Sequence, residues 1–90
     1  MSKDDPYAKL REQLELLSWP NVYFFKFIVP NESERVAKVT ALFNSADDLQ
    51  LQPSKTGKYI SVGAKELMLD VDSIIVKYQE AAKIEGLISL

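Results

Sequence analysis

The amino-acid sequence predicts a single α+β domain, a two-layer sandwich in which helices pack on a four-stranded antiparallel sheet. The first observation is the spacing of apolar residues, which alternates between helical and strand periods along the chain. The second is the element order after an initial helix, which reads β-α-β-β-α-β. The third is the length of 90 residues, typical of one small domain. We therefore expect one domain over 1–90, with an N-terminal helix at 5–18 and the β-α-β-β-α-β core at 21–90.

The N-terminal helix is predicted by a stripe of large apolar residues behind an acidic start. Asp4, Asp5 and Pro6 suit the beginning of a helix, because Asp is a favoured cap and proline fits the first turn. The stripe recurs at helical spacing in Tyr7, Leu10, Leu14 and Leu17. Pro20 should stop the helix, since the residue before a proline avoids the α region.

The first strand is predicted at 22–29, where aromatic and β-branched residues dominate. Alternate side chains of a strand point to opposite faces, and Lys26 interrupts one of the two rows. The uninterrupted row should therefore face the core, and it consists of Tyr23, Phe25, Phe27 and Val29. The row on the other face consists of Phe24, Lys26 and Ile28.

The second helix is predicted to begin at Asn31, with Glu34 three residues on as in a capping box. Its buried stripe should comprise Val36, Val39, Leu42 and Phe43. A turn at 44–48 then leads to a short edge strand at 49–52, where leucine and glutamine alternate.

The second half of the chain repeats the strand and helix signals. A loop at 53–57 precedes a longer strand at 58–67. In that strand Ile60, Val62 and Ala64 should face one way, and Tyr59, Ser61, Gly63 and Lys65 the other. The third helix should begin at Asp70 or Asp72, and a last short strand should occupy 87–90. The apolar stripe of this helix is Val71, Ile74, Ile75, Tyr78 and Ala82.

This order of elements is that of the ferredoxin-like sandwich. Right-handed crossovers place both core helices on one face of the sheet, with the first and third strands side by side in the centre. The other face of the sheet is left open, and we expect any function to reside there.

The composition excludes several classes of activity. The chain has no Cys and no His, which excludes disulfides, thiolate and imidazole catalysis, and Cys/His zinc or haem sites. The net charge of −2, without any block of like charge, disfavours broad binding to nucleic acid. No apolar run approaches the ~20 residues that span a bilayer, and the start of the chain is acidic, so we expect a cytosolic protein.

Several segments share the sequence pattern of one known family. They are Leu16-Leu17-Ser18-Trp19-Pro20, Tyr23 to Lys26, the Pro-Ser-x-x-Gly-x-Tyr-x-Ser-Val match at Pro53 to Val62, and Tyr78 with Ile84-Glu85-Gly86-Leu87. On these residues the chain, over about residues 14–90, resembles the YbeD-like proteins, small bacterial proteins of unknown function. The resemblance implies a ferredoxin-like fold similar to ACT regulatory domains, and no established reaction. ACT domains bind effectors at a strand-to-helix turn that carries glycine, whereas the turn at 29–32 has none.

The loop after the short edge strand is the first candidate site. Its residues are Ser54, Lys55, Thr56, Gly57 and Lys58. Loop N–H groups, hydroxyls and ammonium groups together could hold a phosphate or a carboxylate. The same composition also suits a hairpin connection in which Gly57 supplies a positive φ and the lysines stay solvated. The sequence leaves both interpretations open.

The open face of the sheet is the second candidate site, with Phe24, Lys26, Ile28, Tyr59, Ser61 and Lys65. Aromatic residues on central strands can stack on RNA bases, but Ser61 stands where the second aromatic would be, and the chain is acidic. We expect instead that Phe24, Ile28 and Tyr59 form an apolar patch that needs cover. The N-terminal helix or a second copy could supply that cover.

Neither a metal site nor an enzyme is predicted. The carboxylates of Asp47, Asp48, Asp70 and Asp72 are explained by a turn and a helix start, and an oxygen-rich metal site needs more converging ligands. Lys65 lies roughly 13 Å along the strand from Ser61, so the two cannot form a Ser–Lys pair. We therefore expect no cofactor and a non-enzymatic regulatory or protein-interaction module, acting as a homodimer or on another protein. The alternative is a small-metabolite or anion sensor, and RNA binding is the least favoured.

Overall fold

A computed structural model describes residues 5–44 and 48–90 as an antiparallel four-stranded sheet with three helices. The helices are α1 (Ala8–Glu15), α2 (Ser33–Thr40) and α3 (Val71–Ala82), and the strands are β1 (Asn21–Pro30), β2 (Leu49–Pro53), β3 (Tyr59–Met68) and β4 (Ile88–Ser89). The strand order is β2-β3-β1-β4, and every neighbouring pair is antiparallel. The predicted α+β class and the central pair β1 and β3 are confirmed. Asp4 and most of the predicted turn at 44–48 lie outside the described residues.

The core lies between the helices and one face of the sheet, as the row pattern of β1 predicts. Phe25, Phe27 and Val29 are fully buried, and they face Ala64, Val62 and Ile60 across the β1–β3 pair. The buried side chains of both core helices join the same cluster, so α2 and α3 cover one face together: Val39, Ile74, Ile75, Tyr78 and Ala81. The predicted stripe of α3 needs one correction, because its last buried residue is Ala81, whereas Ala82 is exposed.

Helix α1 is shorter than predicted and packs beside α3. It begins at Ala8, and Tyr7 occupies the cap position without a side-chain cap hydrogen bond, so the predicted Asp5 cap is wrong. The Asp5 carboxylate accepts the Tyr7 N–H at 2.9 Å in the turn before the helix. It ends at Glu15, so Leu17 leaves the stripe and is 52% exposed. Leu14 remains buried against the core. Helix α1 therefore belongs to the helix layer and does not cover the open face of the sheet.

The start of α2 differs from the prediction, whereas the start of α3 agrees with it. The cap position of α2 is Glu32, which makes no side-chain cap hydrogen bond, so the predicted Asn31 cap is wrong. Asn31 instead donates its backbone N–H to the Lys58 carbonyl at 2.9 Å and its side-chain amide to the Gly57 carbonyl at 3.1 Å. Helix α3 is capped by Asp70, whose carboxylate accepts the Ser73 N–H at 2.8 Å.

Candidate functional site

The sheet face opposite the helices is uncovered among the described residues, and we call it the open face. Pairing places Val22 opposite Leu67, Ile28 opposite Ser61 and Ile28 opposite Ile88. Leu90 joins them because its N–H donates to the Lys26 carbonyl at 3.0 Å. The apolar members, other than the half-buried Ile28, are 47–63% exposed: Val22, Phe24, Tyr59, Leu67, Ile88 and Leu90.

The six residues that the sequence predicts for this face do share it. Tyr59, Ser61 and Lys65 on β3 project on the same side as the Phe24, Lys26 and Ile28 row of β1. Four apolar members were missed, namely Val22, Leu67, Ile88 and Leu90. Extending the two rows by two residues would have found Val22 and Leu67. Ile88 and Leu90 required the register of β4, which no local pattern contains.

The polar side chains of the open face lie in its middle and along the β2 edge. Gln50 and Gln52 of β2 pair with Gly63 and Ser61, so they share the face. Lys26 pairs with Gly63, the one position on the face without a side chain. A Cβ atom built at Gly63 would lie 3.0 Å from the Phe24 ring, because that ring lies over the glycine. The second lysine of the face, Lys65, lies opposite Phe24.

A groove indents the open face at the end nearest to the 54–58 loop. Its volume is about 430 Å³, and its lining residues are Ile28, Gln52, Pro53, Ser54, Tyr59, Ser61 and Ile88. The groove brings one residue of the predicted anion loop, Ser54, next to three residues of the predicted sheet site. Both serine hydroxyls already make hydrogen bonds, since Ser54 Oγ accepts the Tyr59 N–H at 3.3 Å and Ser61 Oγ donates to the Gln52 carbonyl at 3.3 Å.

The 54–58 loop itself closes the hairpin between β2 and β3. The Gly57 N–H donates to the Ser54 carbonyl at 3.0 Å, and the Ser54 N–H donates to the Tyr59 carbonyl at 2.8 Å. Gly57 has a φ of 75°, as the hairpin interpretation predicts. The remaining candidates Lys55, Thr56 and Lys58 are exposed and do not line the groove.

An ion pair that sequence reasoning missed lies beneath the turn after α2. Glu66 Oε2 of β3 lies 3.0 Å from Lys77 Nζ of α3, and the two side chains are only 11% and 16% exposed. Glu66 Oε1 accepts the Asn44 N–H at 3.0 Å, and Lys77 also donates to the Leu42 carbonyl. The ammonium lies 5.2 Å from the centre of the Phe43 ring. This network joins three elements and shields its charges from solvent, so we interpret it as structural.

Two tyrosine hydroxyls, one from β1 and one from α3, meet on the helix side of the sheet. Tyr23 and Tyr78 hydroxyls are 2.9 Å apart, and their rings pack against Phe25. Burial, with the hydrogen bond to Tyr23 second, raises the pKa of Tyr78 well above its ordinary value. The Tyr78 hydroxyl is therefore neutral at pH 7, and its position in the core does not make it a reactive site.

The predicted acidic positions do not converge on a common point. Asp70 caps α3, and Asp72 pairs with Arg11 of α1. Within 5–44 and 48–90 there is no group of three or more His, Cys, Asp or Glu residues that could hold a metal ion. In the same part of the chain no helix has the length and apolar character needed to cross a membrane. Asp47 lies outside the described residues.

Comparisons with known proteins assign the chain to no family. No protein-family model matches it, and neither a curated protein nor a solved structure matches it.

Proposed function

We propose that this chain is a non-enzymatic regulatory or protein-interaction module that acts through the open face. One observation carries the proposal: seven apolar side chains share that face, and six of them are about half exposed or more. Exposed apolar surface on this scale usually marks an interaction site. Covering each such side chain contributes up to about 1.5–3 kcal/mol, and less for one already half buried.

The occupant of the open face is a second copy, in a homodimer, or another protein. Helix α1, which the sequence offered as an internal cover, packs on α3. Sedimentation equilibrium over a wide concentration range distinguishes the two occupants. A dimer that the substitution Ile88→Asp dissociates supports self-association through the open face, whereas a persistent monomer directs attention to a different protein.

A matched pair of variants tests the module itself. Ile88→Asp places a carboxylate on the open face, and Val76→Asp makes the same kind of change at a similarly exposed position of α3. Affinity purification from the native cell should recover a partner with wild type and with Val76→Asp, and lose it with Ile88→Asp. Equal recovery by all three baits, or recovery of neither a partner nor a second copy, would contradict the proposal.

We also propose that the architecture is ferredoxin-like and similar to ACT regulatory domains. The sheet order β2-β3-β1-β4 and the placement of α2 and α3 on one face support this proposal. The resemblance to YbeD-like proteins depends on the sequence motifs alone. A measured structure with left-handed crossovers, or with α2 and α3 on opposite faces, would contradict the ferredoxin-like class.

A small-metabolite or anion sensor is the second candidate function. The groove favours it, because about 430 Å³ is within the size range of small-molecule sites and Ser54 lies at its edge. A thermal-shift screen of amino acids and phosphorylated metabolites tests it. Stabilisation that Ile28→Ala reduces would support the sensor, and no stabilisation at millimolar ligand would count against it. RNA binding has no further support in the geometry beyond Tyr59 and the two lysines.

A further inference from the structure

The strand positions of the open face carry two charged side chains, and both are lysines. Lys26 and Lys65 both project from this face, and the pairing of Lys26 with Gly63 makes Lys65 its diagonal neighbour. Diagonal neighbours lie roughly 7–8 Å apart, so the two ammonium groups share one region. No Asp or Glu occupies a strand position on this face, and Asp48, which directly precedes β2, lines a pocket with Phe24 and Lys65 at its edge. Within the described part of the chain, neither lysine has a carboxylate side chain within 4.0 Å.

This distribution opposes a symmetric pair of open faces. The chain as a whole is acidic, with a net charge of −2, yet the face that needs cover is basic. A second copy centred on the same face would bring four lysines together, with the Asp48 of each copy only at the β2 edge. Like charges that meet at an interface cost several kcal/mol, whereas opposite charges favour binding and speed the encounter.

The groove adds a second requirement for the occupant, an apolar side chain at a fixed distance from Lys26. Ile28 and Ile88 line it, and Lys26 precedes Ile28 by two residues on the same strand. Two residues along a strand span about 7 Å. An occupant that fills the groove with an apolar side chain therefore places its neighbouring group above the Lys26 ammonium.

We propose that the open face binds a protein segment that presents a large apolar side chain and a carboxylate about 7 Å apart. The apolar side chain enters the groove between Ile28 and Ile88, and the carboxylate pairs with Lys26 and Lys65. Neighbours on one face of a strand have this spacing, and residues four apart on a helix have a similar one. This inference rests on the proposed function and specifies the chemistry of the partner.

The test is selection of a displayed random twelve-residue peptide library on the immobilised full chain. We expect the enriched peptides to combine an acidic residue with a large apolar one. Fluorescence anisotropy then measures their affinity for wild type, for the double variant Lys26→Glu/Lys65→Glu and for Ile88→Asp. Affinity should fall at least tenfold in both, and it should weaken as sodium chloride rises from 50 to 500 mM. Circular dichroism confirms that each variant is folded.

The matched control is Lys9→Glu, an equal charge change at an exposed position of α1. It should leave peptide affinity within twofold of wild type. Peptides that need Ile88 but bind the lysine double variant equally well would overturn this inference and leave the proposed function intact. A dimer that Ile88→Asp dissociates, and that Lys26→Glu/Lys65→Glu does not strengthen, would also overturn it. Failure to enrich any peptide whose binding depends on Ile88 would overturn this inference, whereas the proposed function is contradicted if neither a partner nor a second copy is recovered.

Discussion

Gly57 and Gly86 both adopt positive φ angles, 75° and 82°, but their surroundings differ. A Cβ atom at Gly86 would lie 2.8 Å from Pro30 Cγ, so the turn before β4 packs closely against the end of β1. A Cβ atom at Gly57 would meet nothing within 4 Å. Backbone conformation requires glycine at both positions, whereas close packing requires it only at Gly86.

We predict that Gly86→Ala destabilises the fold more than Gly57→Ala does. The left-handed conformation alone costs an alanine about 1–2 kcal/mol, which is the loss expected at Gly57. The collision with Pro30 adds about 1–3 kcal/mol at Gly86. Urea denaturation of both variants measures the difference in unfolding free energy. Equal losses of stability would show that the Pro30 side chain moves aside without destabilising the fold.

The burial of Tyr78 should make the free energy of unfolding depend on pH in the alkaline range. Because its pKa is raised in the folded state, this tyrosine stays neutral in the fold when the unfolded chain ionises near pH 10. Its contribution to stability is fully present below about pH 10 and is lost as the pH rises toward the folded pKa. The free energy of unfolding should therefore fall more steeply above pH 10 in wild type than in Tyr78→Phe. If the free energies of unfolding of wild type and Tyr78→Phe change in parallel from pH 8 to 11.5, this expectation is contradicted.

At the scale of elements, α3 organises the helix layer. Asp70 caps it, Arg11 of α1 pairs with Asp72 in its first turn, and Lys77 in its middle reaches the Glu66 carboxylate of β3. The Glu66–Lys77 pair is the least exposed of the ion pairs among the described residues. Removing one charge from such a pair leaves the other without compensation in a poorly solvated site.

We predict that Lys77→Met destabilises the fold by about 3 kcal/mol, because it leaves the Glu66 carboxylate without its cationic partner. The double variant Glu66→Gln/Lys77→Met should recover at least half of that loss, since no charge is then buried. Lys83→Met is the control, because Lys83 pairs with Glu80 at the exposed end of α3 and should change stability by less than about 1 kcal/mol. Urea denaturation measures all three, and a double variant no more stable than Lys77→Met would refute the explanation.

The whole molecule has two unequal faces. Helices cover one face of the sheet and bury an aromatic core, whereas the open face keeps apolar side chains in contact with solvent. The stability of the fold should therefore depend on the first face and its associations on the second.

We predict that the triple variant Val22→Thr, Leu67→Thr and Ile88→Thr unfolds at nearly the wild-type denaturant concentration. Each substitution lies on exposed surface and should change stability by about 0.5 kcal/mol or less. Binding of a hydrophobic dye to the folded state should fall sharply, because the variant removes apolar surface. Phe27→Ala, in the fully buried row, should cost about 3–5 kcal/mol. A triple variant as unstable as Phe27→Ala would show that the open face is packed.

About half of the candidate site could be predicted from the sequence. Lys26 interrupts one row of β1 and thereby identifies the solvent side, and alternation on β3 assigns Tyr59, Ser61 and Lys65 to the same side. Ile88 could not be placed, because β4 contains only two paired residues and its register depends on contacts with β1. The groove is lined by Ile88, Pro53 and Ile28 from three different strands, so no local sequence pattern could predict it.

The sequence by itself determined the features that a few neighbouring residues encode: the two rows of β1, and a start of α3 at Asp70 or Asp72, of which the structure selects Asp70. Only the tertiary structure decided which of several competing partners a polar group takes. Asn31 has the side chain of a cap, yet it bonds to the 54–58 loop because β1 and β3 bring that loop within reach. Local periodicity follows from backbone geometry, whereas these partners depend on where distant segments meet.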